Sequence, residues 1–156
     1  MKEDETVGEA AAEMFTLWRT DRERALCERR QRCESPAPFS SVDACVAASD
    51  EDLRAATPRI ADSIVRGGTK YFADAAAECL AIHETSCSTS YIDILIVCNK
   101  AYEGQQAAGE SCVGHFECGG PSGPDRLLCF DGCSALFGYE DVVGAGQCVQ
   151  GRPDGC

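Results

Sequence analysis

Twelve cysteines in a chain of 156 residues constrain this protein more than any other feature. The count is even and far above ordinary usage, which fits six disulfides and an oxidising compartment. The cysteines also fall into two equal groups. Cys27, Cys33, Cys45, Cys79, Cys87 and Cys98 occupy the first hundred residues, and Cys112, Cys118, Cys129, Cys133, Cys148 and Cys156 occupy the rest. Six and six suggests two independently closed sets, each with about 15 connectivities that spacing alone leaves open.

Zinc is the competing explanation, because Cys112, His115 and Cys118 stand three residues apart. Structural zinc sites present C-x2-C or C-x4-C knuckles. No C-x2-C occurs here, and the nearest pair, Cys129 and Cys133, has three residues between. A zinc site would also strand an awkward number of thiols in an exported protein. The spacing therefore predicts staples, no metal and no cofactor, with His115 as a surface side chain of a stapled loop.

Export requires a signal, and "MKEDETVGEA" is acidic, with no apolar h-region. The expectation is that an export signal has been removed and Met1 supplied in its place. No window approaches 18 apolar residues, so no membrane-spanning helix is predicted; "YIDILIV" at 91–97 is the longest candidate. The formal net charge of −12 argues against nucleic acid and anionic membranes as partners.

Composition changes near residue 100. Twelve of 15 glycines follow it and 12 of 14 basic residues precede it. Glycine favours tight turns and weakens helices, whereas the alanine-rich first part favours helix. The predicted fold class is mainly α. A disulfide-stapled helical bundle spans residues 1–98, a connector spans 99–110, and a small glycine-rich module of loops and short strands spans 111–156. That module is too small to bury much apolar surface, so three staples are the expected remedy.

The first helix should run from about residue 6 to Cys33, with Val7, Ala11, Met14, Trp18 and Ala25 on its inner stripe. "SPAPF" at 35–39 stops it. Ser40 and Asp43 read as a capping box for a second helix, Ser49 and Asp52 as a restart, and Thr57-Pro58 as the opening of another. "RGGTKYF" breaks the pattern. Helix resumes at "ADAAAECLAIH", with Ala76, Cys79, Leu80 and His83 on one side, and "YIDILIVC" reads as a further helix. Met14, Trp18, Leu26, Leu53, Ile60, Ile64, Leu80 and Leu95 form the predicted core, and the tail contributes Phe116, Leu127, Leu128, Phe130, Leu136, Phe137 and Tyr139.

Catalytic signatures are absent. His83-Glu84 lacks the second histidine of H-E-x-x-H, there is no G-x-S-x-G or Walker loop, and an even cysteine count leaves no free thiolate. No catalytic residue is predicted. In "RTDRERALCERRQR", Arg19, Arg22, Arg24, Arg29, Arg30 and Arg32 alternate with Asp21, Glu23 and Glu28, which reads as a solvated helix face, with local binding of an acidic partner as the alternative.

From Cys98 onward, "CNKAYEGQQAAGESCVGHFECGG…LLCFDGC…GAGQCVQGRPDGC" resembles the Dickkopf-like cysteine-rich modules of exported proteins and lipoproteins of Gram-negative bacteria. Gly109, Cys112, Cys118, "LLC" at Cys129, "GQC" at Cys148 and "DGC" at Cys156 occupy the places of that pattern, although "DRLL" replaces its usual glycine. "LCERRQRC", "FSSVDAC" and "AAAECLAI…SC" resemble the helical half of such proteins. The resemblance implies a secreted or cell-surface location, with a lipid tether on a removed N-terminus as one form of it, and implies no catalytic residues. The function expected is non-catalytic binding of another extracellular or surface macromolecule. The alternatives are a secreted inhibitor or toxin-like effector acting through loop 119–128, and an enzyme of unrecognised type.

Overall fold

The computed structural model describes residues 2–49, 51–120, 126–137 and 146–156. The predicted core residue Leu53, the tail residue Tyr139 and the middle of loop 119–128 have side chains or backbone outside the described part. No helix among the described residues is long and apolar enough to cross a membrane.

Five helices build the first part: α1 (Lys2–Cys33), α2 (Val42–Ala47), α3 (Glu51–Arg66), α4 (Ala73–His83) and α5 (Tyr91–Cys98). The alanine-rich α1 runs for 32 residues. Of the expected inner stripe, Trp18 is buried and Ala11 packs against the core, but Val7 and Met14 give way to Ala12 and Phe15. Ala12, Phe15 and Trp18 are buried, while Val7 and Met14 stand exposed. Phe15 is the reason: its ring, fully buried, packs 5.6–5.8 Å from the rings of Trp18, Tyr71 and Tyr102. An aromatic side chain buries more apolar area than Met or Val, so the helix turns to satisfy it. Ile60, Ile64 and Ala76 join this core, as does Ile94 in place of the expected Leu95. Leu80 packs against it from the side, and Leu26 is only half-buried.

Local signals fall close to their expected places, with two differences. The cap of α2 is Ser41, whose hydroxyl accepts from the Ala44 amide, rather than Ser40. Asp43 then pairs with Arg24 on the surface. Pro58 opens no helix; it sits inside α3. An interior proline removes one helical hydrogen bond, and Arg54, whose carbonyl loses that partner, is exposed. Gly67, at φ +79°, takes the chain out of α3 in a left-handed conformation that side chains resist.

Six strands follow the glycine. β1 (Thr69–Tyr71) pairs antiparallel with β2 (Tyr102–Gly104), Tyr71 facing Tyr102. The tail holds β3 (Ser111–Cys112), β4 (Leu127–Asp131), β5 (Ser134–Ala135) and β6 (Gly146–Gln150), ordered β3-β6-β4-β5 and antiparallel throughout. Its core is mainly sulfur: Cys112, Cys118, Cys129 and Cys148, joined by Leu136 and Leu127.

All twelve cysteines are paired. Cys27–Cys45 joins α1 to α2, Cys33–Cys87 joins the end of α1 to the loop after α4, and Cys79–Cys98 joins α4 to α5. Cys112–Cys129, Cys118–Cys148 and Cys133–Cys156 close the tail. No bridge passes from one set to the other, and no cysteine is free.

The two parts are nevertheless closely joined without a covalent tie. Residues 99–104, expected in the connector, form a 3-10 turn and β2 against the helices, with Ala101 fully buried. Phe116, expected in the tail core, lies in the helical one. Beside it Glu117, only 3% exposed, accepts from Ser63 Oγ at 2.7 Å, Arg66 at 3.1 Å and its own module's Val113 amide at 2.9 Å. Gly104 makes this contact possible, because a Cβ there would collide with the backbone of Glu117 and Cys118.

Two outcomes follow. Cleaving the oxidised chain within residues 105–110 should leave fragments that co-elute in native buffer and separate in denaturant without reductant; separation in native buffer would contradict the docking. Glu117→Ala should cost about 3 kcal/mol by leaving Ser63 and the Val113 amide unpaired, read as a lower unfolding midpoint and faster proteolysis near residue 105.

Candidate functional site

The arginines of α1 do not form the single solvated face expected of them. Arg29 is buried and reaches the end of α4, where terminal carbonyls lack helical partners. It donates to the carbonyls of His83, Thr85, Ser86 and Thr89 at 2.9–3.4 Å. Arg32 adds bonds to His83 and Thr85 at 2.9 and 3.3 Å. Both cations sit where a helix C-terminus attracts positive charge. They hold the fold and are spoken for.

On another flank of α1 the helix borders an open cleft of about 530 Å³. The Cys27–Cys45 bridge forms part of its lining and α3 supplies Arg54, Thr57 and Pro58. Leu26, Phe39, Pro58 and Tyr91 give the lining apolar area, and Arg19, Arg22, Arg30 and Arg54 give it charge, against one carboxylate among the described residues, Glu23. A cationic cleft in a chain of net charge −12 is a local reversal of sign.

Two of these four cations have carboxylates of their own. Arg30 pairs with Glu34 at 2.9 Å and lies over Phe39. Arg54 pairs with Glu23 at 3.1 Å and also donates to the Val46 carbonyl. Arg19 donates to the Thr57 hydroxyl at 3.3 Å. Arg22 differs: its guanidinium stacks on the buried Trp18 ring at 5.6 Å, with no hydrogen bond or ion pair to any described residue. Burial, reinforced by the neighbouring charge of Arg19, lowers its pKa from the ordinary arginine value.

Both histidines are structural. His83 is buried, its Nε2 lies 3.8 Å from Cys98 Sγ, and its Nδ1 has no partner among the described residues. Burial, with the charges of Arg22 and Arg29, lowers its pKa to about 4, so the ring is neutral at pH 7. His115, expected at the surface, is half-buried: its Nδ1 accepts from the Cys129 amide at 2.8 Å and its ring meets Phe137 edge-on. Cys79, His83 and Cys98 converge, as do Cys112, Cys118 and Cys129. Each of those sulfurs is in a disulfide, so neither group offers a thiolate to a metal.

The cleft itself is not apparent in the sequence, although its signal is there. Trp18 and Arg19 precede Arg22 by four and three residues, the spacing that brings side chains together on a helix. Compared with known protein families, with curated proteins and with solved structures, the chain matches none.

Removing Arg29 should expose its structural role. Arg29→Ala removes a buried guanidinium and four hydrogen bonds, leaving the Thr89 carbonyl without a donor among the described residues, and should cost about 3 kcal/mol, whereas Arg24→Ala, which loses only the exposed pair with Asp43, should cost under about 1 kcal/mol. Chemical denaturation of both variants checks the contrast.

His83 sets a pH dependence. Its folded pKa lies below the ordinary 6.5, so the unfolded chain takes up the proton first. This contribution is complete above pH 6.5 and is lost as pH falls toward 4. The midpoint of thermal unfolding should drop between pH 7 and 5 in the native protein, and His83→Phe should flatten that slope.

Proposed function

We propose that the protein is a non-catalytic extracellular or cell-surface binding protein, of the Dickkopf-like exported type its cysteine spacing resembles. One observation carries this reading: three disulfides close each of two docked units, and the helical unit carries an open cleft, walled in part by Cys27–Cys45, whose cations exceed its carboxylates among the described residues. Disulfides persist in oxidising compartments. A frame already ordered loses little conformational freedom on binding, so more of each contact appears as affinity.

A secreted inhibitor acting through loop 119–128 is the second reading. It is supported by the bridged cysteines on both sides of the loop, Cys118 and Cys129.

Location and binding test the proposal together. Protein recovered from its source should fractionate with the surface or medium, resist alkylation without reductant, and bind intact cells saturably when added back in labelled form. Recovery from the cytoplasm with alkylatable thiols would overturn it. Replacing residues 121–126 of that loop by a glycine-serine segment, which spares β4 and the Gly119–Gln106 bond, separates the two readings, since only the inhibitor reading loses binding.

A further inference from the structure

We infer that the cleft between α1, α2 and α3 is a binding site for an amphipathic monocarboxylate, held by Arg22 at its charged end and by Leu26, Phe39, Pro58 and Tyr91 along its apolar body. The inference rests on the reading as a binding protein and adds to it a site and a ligand class.

Arg22 supplies the head-group recognition. Arg24, Arg30 and Arg54 are each matched by a protein carboxylate, at 2.9, 2.9 and 3.1 Å. Arg22 has none, and its only described partner is the face of Trp18. A half-buried guanidinium without an acceptor has forfeited hydration that no described residue restores. The stack holds its plane while leaving the N–H edge for an acceptor, and a planar fork suits a carboxylate. Arg22 alone among the cleft's cations has no polar partner among the described residues, and one carboxylate meets its fork. Burial and Arg19 already disfavour the bare charge, so an arriving anion relieves both.

The remaining lining describes the rest of the ligand. A volume of about 530 Å³ falls in the range of small-molecule sites, and such sites combine mostly apolar walls with a few placed polar groups. Phe39 is fixed under Arg30 and the wall between α1 and α2 is fixed by Cys27–Cys45, so the apolar part is held open before any ligand arrives. The surrounding charge of −12 repels anions in general, which leaves the apolar body to supply the selectivity for ligands that reach the cleft.

Trp18 is the only tryptophan and touches Arg22, so its fluorescence reports directly on occupancy. The oxidised full chain should be titrated at low salt with decanoate, decanol, decyl phosphate and acetate, by fluorescence and calorimetry. Decanoate should saturate with a 1:1 stoichiometry, and decanol and acetate should bind at least tenfold more weakly. Arg22→Gln should weaken decanoate about ten- to a hundredfold, the scale of a charged hydrogen-bonded pair, and Arg22→Lys should weaken it less. Arg24→Gln should leave it unchanged. Equal binding of decanol and decanoate, tighter binding of decyl phosphate, or undiminished decanoate binding by a folded Arg22→Gln protein overturns the inference. Absence of decanoate saturation overturns it as well. If the native protein binds cells saturably but does not bind decanoate, the binding-protein reading stands and only this site falls.

Discussion

A single carboxylate holds the molecule together. Glu117 leaves the tail, enters the helical part beside Phe116, and finds Ser63 and Arg66 waiting there. Ser63 Oγ lies 2.9 Å from Thr69 Oγ1, and the Thr69 hydroxyl donates to the Phe116 carbonyl, so the carboxylate sits in a continuous polar cluster. A buried charge is tolerable only when its acceptor positions are met. The alignment of α3, the turn at Gly67, the β1–β2 pair and the tail are all coordinated around meeting them. The absence of a disulfide between the two halves is thus no sign of independence.

Within each half the covalent and apolar contributions are divided unequally. The helical part gathers Phe15, Trp18, Ile60, Ile64 and Ile94 into an ordinary core that includes the Cys79–Cys98 bridge, and its other two bridges tether α1 to α2 and to the loop after α4. In the tail, sulfur is the core. Cys129 and Cys148 face each other across β4 and β6 yet bond elsewhere, to Cys112 and Cys118. Those crossed bonds tie the sheet to the turn that carries Glu117. Bridges of this kind act mainly by restricting the unfolded chain, by about 2–4 kcal/mol each.

Much of the architecture was legible in the residues. Alanine content and glycine punctuation separate helix from loop, and "YIDILIVC" folds as the helix its spacing suggests. The misread features have physical causes. The stripe on α1 was assigned to Val7 and Met14 because periodicity cannot weigh one heavy aromatic, Phe15, against several lighter residues one position round. Pro58 looked like a helix start, since a local rule cannot see that its neighbours leave the lost carbonyl exposed. The connector looked independent because Glu117 resembles any surface acid until Ser63 and Arg66 are placed beside it. The arginine run was the hardest: one helix distributes its cations to carbonyls, to carboxylates and to a stack on Trp18, and only the three-dimensional arrangement tells these apart.

The tail sheet also bears on how such a chain behaves when crowded. Its outer strands, β3 and β5, are two residues long, and the longer β4 and β6 lie between them. An open sheet invites other molecules to extend it through unpaired amides and carbonyls at its margin, and short margins offer little to align with. The sheet can therefore be rich in backbone pairing inside while remaining a poor template for its neighbours. A high negative charge adds mutual repulsion. Resistance to self-association is built into the order of the strands.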